Sequence, residues 1–264
     1  MITLVILNWK RPNNIKNNIL PYLCQNNLIT EIIISHNNLE TIFDYNHPKI
    51  VHINDVENNK KIGLAVRFTS AMRAKNDIIL MIDDDVYPQH ELVHFLLKKY
   101  LENSQIIHGI FGRNIIQNMY FPINATGKVD IALTQCIMFN KKWANIFLKE
   151  KSMVEDITLK AKPIWNGEDI FLSLLVLKYT GQQNMAYKDH SNQIIHLDDN
   201  DSISNASLLG SVSHIIYRNK LANEIKKRYN ITYKYDKRNL NIKILFVISI
   251  IIVVTIYLIK NKKT

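Results

Sequence analysis

The stretch DIILMIDDD, from Asp77 to Asp85, runs an unbroken apolar segment into three consecutive carboxylates. Five apolar residues bounded by acids are too few for a helix and suit a strand buried on both faces, as in a parallel sheet. In open α/β sheets, ligands bind beyond the carboxyl ends of the strands, which is where Asp83, Asp84 and Asp85 fall. Adjacent carboxylates repel one another, so three of them there call for a hard cation or for several donors. A divalent metal shared with a diphosphate is one answer, and a solvated acidic turn is the other.

Working outward, the same alternation of apolar runs and turns predicts strands at Thr3 to Leu7, Glu31 to Ser35 and Ile50 to Ile53. Between them, Pro12 to Leu23 and Leu64 to Ala74 carry apolar residues at helical spacing. This βαβ rhythm predicts an α/β fold. Beyond the aspartates, a helix is expected from Pro88 to about Tyr100 and a strand from Ile106 to Phe111. A further strand is expected over Ile131 to Phe139, and helices at Lys141 to Leu148, Ile170 to Tyr179 and Ser207 to Tyr229.

Lys and Arg number 33 against 23 Asp and Glu, but the surplus is local. Residues 1–217 hold 21 basic and 21 acidic side chains, whereas 12 basic residues from Arg218 onward face only Glu224 and Asp236. A nucleic-acid protein spreads its charge over a folded face with aromatic platforms, so no nucleic-acid partner is expected. Here the charge flanks ILFVISIIIVVTIYLI, Ile244 to Ile259, an apolar stretch closed by Lys243 and Lys260, whose stems can snorkel to the interface. The domain organisation read from this is a globular domain over 1–230, a basic juxtamembrane segment over 231–243 and a transmembrane helix over 244–260. A single-pass protein held in an endomembrane by its C-terminal helix, with membrane lipid as a partner, is the expectation. Two cysteines, Cys24 and Cys136, exclude a disulfide scaffold or a multi-cysteine zinc module. Neither of the common glycine-rich phosphate cradles occurs.

Further residues make the aspartates more specific. Arg67 opens the helix that feeds their strand and Arg11 follows the first strand, both well placed to grip phosphate oxygens with a planar guanidinium. Asn37 and Asn38, after the second strand, offer amides to a base or ribose, or simply make an Asn-rich turn. Glu168 and Asp169 stand at a helix start after Trp165. A carboxylate there can orient or deprotonate an acceptor hydroxyl, or merely suit the helix dipole, while a tryptophan offers a sugar ring an apolar face. The pattern His90-Glu91-Leu92-Val93-His94 reads literally as a zinc-peptidase motif, yet no partner motif completes it downstream.

Together these residues resemble the exostosin glycosyltransferase family, glycosyltransferase family 64, over roughly Thr3 to Tyr229. TLVILNWKRP resembles the family's opening strand with Arg11, EIIISHNN its second strand with His36 in place of an aromatic residue, and GLAVRF the segment carrying Arg67. IDDDV resembles its Asp-x-Asp motif, QCIMFNKKW a strand-plus-helix segment, NGEDIFLSLLVLKYTG its Asp-Asp helix, and RNKL a late segment. The resemblance implies a GT-A fold, a nucleotide-diphospho-sugar transferase with a Rossmann-like mixed sheet flanked by helices. It implies Mn2+ or Mg2+ on Asp85 and Asp83, and donor contacts from Arg11, Asn37, Arg67, Asp83 and Asp84. Asp169, with Glu168, becomes the catalytic carboxylate, and a late arginine is sought at His214 or Arg218. The implied reaction moves a sugar, an N-acetylhexosamine or related hexose, from a UDP-sugar to a hydroxyl of a glycan or glycoconjugate, with retention. The Gly-Glu-Asp motif is also similar to that of inverting family 2 glycosyltransferases. A zinc peptidase built on His90 and His94, and a non-catalytic membrane-bound protein that binds glycan or nucleotide, are the rivals from other classes.

Overall fold

In the computed structural model, residues 1–153, 167–197 and 208–231 are described, with side chains in the last segment from residue 214 onward. The strands are β1 (Ile2–Asn8), β2 (Ile29–His36), β3 (Ile50–Asn54), β4 (Ile78–Ile82), β5 (Val86–Pro88), β6 (His108–Gly109), β7 (Gly112–Ile116), β8 (Met119–Ala125), β9 (Gly127–Val129), β10 (Ile131–Ala132), β11 (Cys136–Asn140), β12 (Asn184–Ala186) and β13 (Ile194–His196). The longer helices are α1 (Val66–Met72), α2 (His90–Glu102), α3 (Lys142–Glu150), α4 (Glu168–Thr180) and α5 (Leu208–Arg228).

A large mixed sheet runs in the order β3-β2-β1-β4-β11-β6-β12-β9. Its first four strands are parallel, with Ile2 to Ile6 of β1 set against Ile78 to Ile82 of β4. Strand β11 then joins antiparallel to β4, Cys136 facing Ile82. Every residue of β1 is buried, as the apolar run demands of a strand covered on both faces. Helical pieces Pro12–Asn14, Ile15–Ile19 and Leu20–Leu23 follow β1, and Ile15, Ile19, Leu20 and Leu23 are fully buried against the sheet. On the other face, Phe68 of α1 packs tilted on Phe147 of α3, with ring centroids 4.2 Å apart, and Phe147 meets Phe171 of α4 at 5.1 Å. Because the chain leaves β1 for β2 on one side and returns to β4 on the other, the crevice above β1 and β4 is a topological switch point.

The predicted continuous strand from Ile131 to Phe139 is two strands. Ile131 and Ala132 pair with β7 in a separate three-stranded sheet, while Cys136 to Asn140 enter the large sheet. Both pieces are buried, so the apolar pattern does not reveal the change of sheet at Leu133 to Gln135. The two sheets abut closely at Gly112, where a β-carbon would stand 2.7 Å from both Ala186 Cβ and Val129 Cγ1. Segment Ile106 to Phe111, expected as one strand, pairs only at His108–Gly109. The hairpin β7–β8 was not anticipated from sequence; its two-residue turn, Gln117 and Asn118, has φ of 51° and 62° at the two positions, as a type I′ turn requires.

The chain divides into two units, Met1–Ile231 and Thr232–Thr264. Among the described residues, no helix is long and apolar enough to cross a membrane. The basic segment to residue 243 and the apolar stretch Ile244 to Ile259, apart from Ile231, lie outside the described residues.

Candidate active site

Strands β1 and β4 end side by side, so the residues that follow them meet. Arg11 Nη1 donates to Asp84 Oδ1 at 2.7 Å and lies 3.5 Å from Asp85 Oδ2. The Trp9 backbone N–H also reaches Asp84, Oδ2, at 3.4 Å. Burial pushes the Asp84 carboxyl up, and Arg11 partly offsets this. Asp84 is thereby the clasp that ties the loop after β1 to the loop after β4. The side chains of Asp83 and Asp85 are more open, 33% and 17% exposed.

Arg67 carries the next link. From the first turn of α1, its Nη1 donates to Asp83 Oδ1 at 2.9 Å while its Nε lies 3.6 Å from Glu168 Oε1. The guanidinium is 4% exposed; burial opposes its charge, but Asp83 and Glu168 more than restore it and hold it above the ordinary arginine range. One planar cation thus joins the strand-end aspartates to the start of α4, the two-point geometry for which arginine is suited.

Glu168 and Asp169 sit in the first turn of α4, where a helix dipole favours carboxylates. Thr134 Oγ1, in the sheet-switching loop, donates to Glu168 Oε1 at 3.1 Å, and the Gly167 N–H donates to Oε2 at 3.1 Å. Burial raises the Glu168 carboxyl, more than Arg67 lowers it. Asp169 accepts from Arg218 of α5, Nη2 to Oδ2, at 2.5 Å, with both side chains buried. Burial opposes the Arg218 charge, and Asp169 more than restores it. Gly167 allows this helix pairing: its φ is 124°, and a β-carbon there would stand 2.3 Å from Leu221 Cδ2 of α5.

Of the two candidates for the late arginine, Arg218 is therefore the one on Asp169. His214 is half-buried a turn earlier on α5, its basicity lowered by burial and by Arg218. Asn37 is 1% exposed and turned into its own turn, Nδ2 donating to the Ser35 carbonyl at 2.8 Å while Ser35 Oγ lies 3.2 Å from its Oδ1. Asn38 accepts from the Glu40 N–H at 3.2 Å. Trp165 lies outside the described residues.

The histidine pair of the peptidase-like motif is elsewhere. His90 packs edge-on against Tyr22, 4.3 Å between centroids, and His94 lines an open recess of about 430 Å³ with Leu97, Lys98, Leu101 and Glu102. Among the described residues, no three His, Cys, Asp or Glu side chains gather as a metal-holding group. A zinc site of the protease kind needs three protein ligands, so this pair does not supply one.

Three residues near Asp169 escaped the sequence reading: Thr134, Arg113 and Tyr120. The ring of Tyr120 lies 4.9 Å below the Arg218 guanidinium. Two short apolar runs, Ile115-Ile116 and Met119 to Phe121, on either side of the polar pair Gln117-Asn118 were the available signal for the hairpin that carries Arg113 and Tyr120.

The arrangement gathers five carboxylates, Asp83, Asp84, Asp85, Glu168 and Asp169, around three guanidinium groups, Arg11, Arg67 and Arg218. With Arg113, near Asp169 and Arg218, counted as a fourth cation, one formal negative charge remains in surplus, on hard oxygen donors beyond the carboxyl ends of a parallel sheet. Such a place suits a polyanion brought in with a divalent cation. No curated protein matches the chain. The glycosyl transferase family 64 domain matches residues 2–243, a span that takes in both loops, α4 and Arg218. With nearly the whole chain matched, the protein belongs to glycosyl transferase family 64 and is a glycosyltransferase.

Proposed function

We propose that the protein transfers a sugar, an N-acetylhexosamine or a related hexose, from a UDP-sugar to a hydroxyl of a glycan or glycoconjugate, with retention and with Mn2+ or Mg2+. The observation that carries this reading is the Arg67 bridge between Asp83 and Glu168, which makes the aspartate turn and the head of α4 one site. The fold is read as GT-A, with the four parallel strands on the donor side.

The donor set fits a divalent cation. Asp85 and Asp83 would hold it, and their oxygens are hard donors that stay partly open beside Arg11 and Arg67. When bound, it supplies charge to stabilise the departing diphosphate.

The protein's own groups do the rest. Arg67 and Arg11 steady the donor diphosphate, and Asp84 fixes Arg11 in place. Asn37 holds the turn after β2 in shape through Ser35 at the nucleoside end of the crevice. In the transfer itself, the bond from the anomeric carbon to the phosphate oxygen breaks and a bond from the acceptor oxygen to that carbon forms. The hydroxyl proton passes to the leaving diphosphate oxygen, and UDP departs. Asp169 has Oδ2 on Arg218 and Oδ1 within 2.9 Å of the Ile170 N–H, so it is oriented to steady positive charge at the reacting carbon. Glu168 keeps Arg67 in register with it.

The apolar stretch Ile244 to Ile259 is read as a single-pass endomembrane anchor that holds the domain over its acceptor.

Calorimetry of UDP with the full chain in detergent, with Mn2+ and then with EDTA, tests the site. Binding is expected only with the metal, and Asp85→Asn should remove it while the thermal midpoint stays in place. Equal binding of UDP to Asp85→Asn and to the unaltered chain would overturn the assignment.

A further inference from the structure

Helix α5 presents a polar stripe to the tip of the β7–β8 hairpin. Asn219 Oδ1 accepts from the Tyr120 N–H at 2.9 Å, Asn223 Nδ2 donates to the Asn118 carbonyl at 2.8 Å, and Lys226 Nζ donates to Asn118 Oδ1 at 2.7 Å. These positions fall at i, i+4 and i+7, one face of a helix, so the contact is built into the periodicity of α5. The left-handed turn at Gln117 and Asn118 aims the Asn118 carbonyl and side chain at that stripe.

Immediately before Asn219 stands Arg218, and immediately above the stripe stands the ring of Tyr120. The guanidinium carbon lies 4.9 Å from the ring centroid, and Nη2 of the same guanidinium pairs with Asp169. All three side chains are buried, Tyr120 at 7%, Arg218 at 5% and Asp169 at 5% exposure. Arg113 of the neighbouring strand is held at its own place, its guanidinium donating to the Gly112 carbonyl and to Asn124 Oδ1. A buried guanidinium between an aromatic face and one carboxylate has few alternative rotamers.

We propose that Tyr120 is a positioning residue for the reaction: its ring face, carried on a backbone that Asn219 ties to α5, sets the angle at which Arg218 grips Asp169. The hairpin is then the backrest of the catalytic carboxylate, although Tyr120 itself touches no reacting atom. This rests on the transferase reading given above, in which Asp169 acts at the anomeric carbon.

The test follows UDP release from UDP-N-acetylglucosamine and UDP-N-acetylgalactosamine by the full chain in detergent with Mn2+. The unaltered chain is compared with Tyr120→Leu, Tyr120→Phe, Asn219→Ala and Asp169→Asn. Tyr120→Leu keeps apolar volume and removes the π face, so kcat should fall about tenfold with KM for the donor nearly unchanged. Tyr120→Phe keeps the face and should restore kcat to within about threefold, which a merely structural hydroxyl contact would not do. Asn219→Ala removes one hydrogen bond and should lower kcat by about threefold to tenfold, and it decides the matter if Tyr120→Leu fails to fold. If Tyr120→Leu and Asn219→Ala turn over like the unaltered chain while Asp169→Asn is inactive, the proposal is overturned and the transferase reading stands. A fall in Tyr120→Phe as deep as in Tyr120→Leu also overturns it. No turnover by the unaltered chain would overturn the UDP-N-acetylhexosamine donor reading, and the proposal with it.

Discussion

The parallel half of the sheet and the half that follows β4 build their parts of the site by different means. In the first, Arg11, Arg67 and the three aspartates each stand within a few residues of a strand end or at a helix start, so short sequence segments place them. In the second, Asp169 depends on a residue 49 positions later, and that residue leans on a ring from a hairpin almost 100 positions before it. A charge at a strand end is a local consequence of chain direction. A buried ion pair across two helices is a consequence of packing, and it is only as good as the packing.

Arg67 pairs with a carboxylate of each half, so removing it should break the comparison most severely. Arg67→Leu leaves Glu168 buried without the guanidinium nearest it and takes the arginine from Asp83, and the loss in unfolding free energy should be about 3–5 kcal/mol, read from urea titrations. If the loss is within the error of a surface substitution, the two halves are not joined through this residue.

The first half contains a buried histidine with a consequence for stability in acid. Asn8 Nδ2 donates to the Thr41 carbonyl at 2.8 Å and to His36 Nδ1 at 2.8 Å, which leaves His36 Nε2–H to donate to His52 Nδ1 at 2.9 Å. His52 Nε2 in turn lies 3.3 Å from the Tyr45 carbonyl. A chain of donors running in one direction has no place for an extra proton on His36. Burial first, then His52, pull its pKa from 6.5 down to about 4. The unfolded chain therefore takes up a proton that the folded chain refuses, so stability falls as pH drops from about 6.5 towards 4, by at most about 3 kcal/mol. Urea midpoints of the unaltered chain and His36→Gln at pH 7 and pH 4.5 should differ in slope, the variant losing less on acidification. Parallel slopes would remove this histidine from the account.

Gly167 tests the second half in the same way. Its positive φ and the close approach of Leu221 both resist a side chain, and Gly167→Ala should cost about 1–3 kcal/mol and loosen α5. Hydrogen exchange at the backbone of α5 would rise if the helix pairing is what Gly167 protects. The smallest effect belongs to the interior of the parallel half, where Ile6 is fully buried. Ile6→Val removes one methylene from a strand supported on every side and should cost about 0.5–1.5 kcal/mol with UDP binding unchanged.

These expectations also mark how far the sequence could be read. The strand-end aspartates, Arg11 and Arg67 were legible because an apolar run that stops at a charge states both the strand and its direction. The predicted helices at Lys141 to Leu148 and Ile170 to Tyr179 correspond to α3 and α4, each within two residues at either end. What stayed hidden was set by partners. The change of sheet between Ala132 and Cys136 follows from Thr134 reaching Glu168 and from Ser173 Oγ accepting the Ala132 N–H at 3.0 Å, contacts with residues more than thirty positions away. Asn37 looked like a free amide because its bond to Ser35 is formed within the turn itself. The choice between His214 and Arg218 could not be made from spacing, since both stand on the same face of α5 one turn apart and only the packing against α4 selects one.

The pair of Asp169 and Arg218 also has a meaning in time. A ribosome adds about 5–20 residues per second, so the 49 positions between them correspond to roughly 2–10 s of synthesis. Throughout that interval the emerging chain carries Asp169 without its counter-charge, and the carboxylate stays hydrated until α5 arrives. This buried ion pair is thus completed late in synthesis, and a chain halted before Arg218 would hold the aspartate turn without the partner of Asp169.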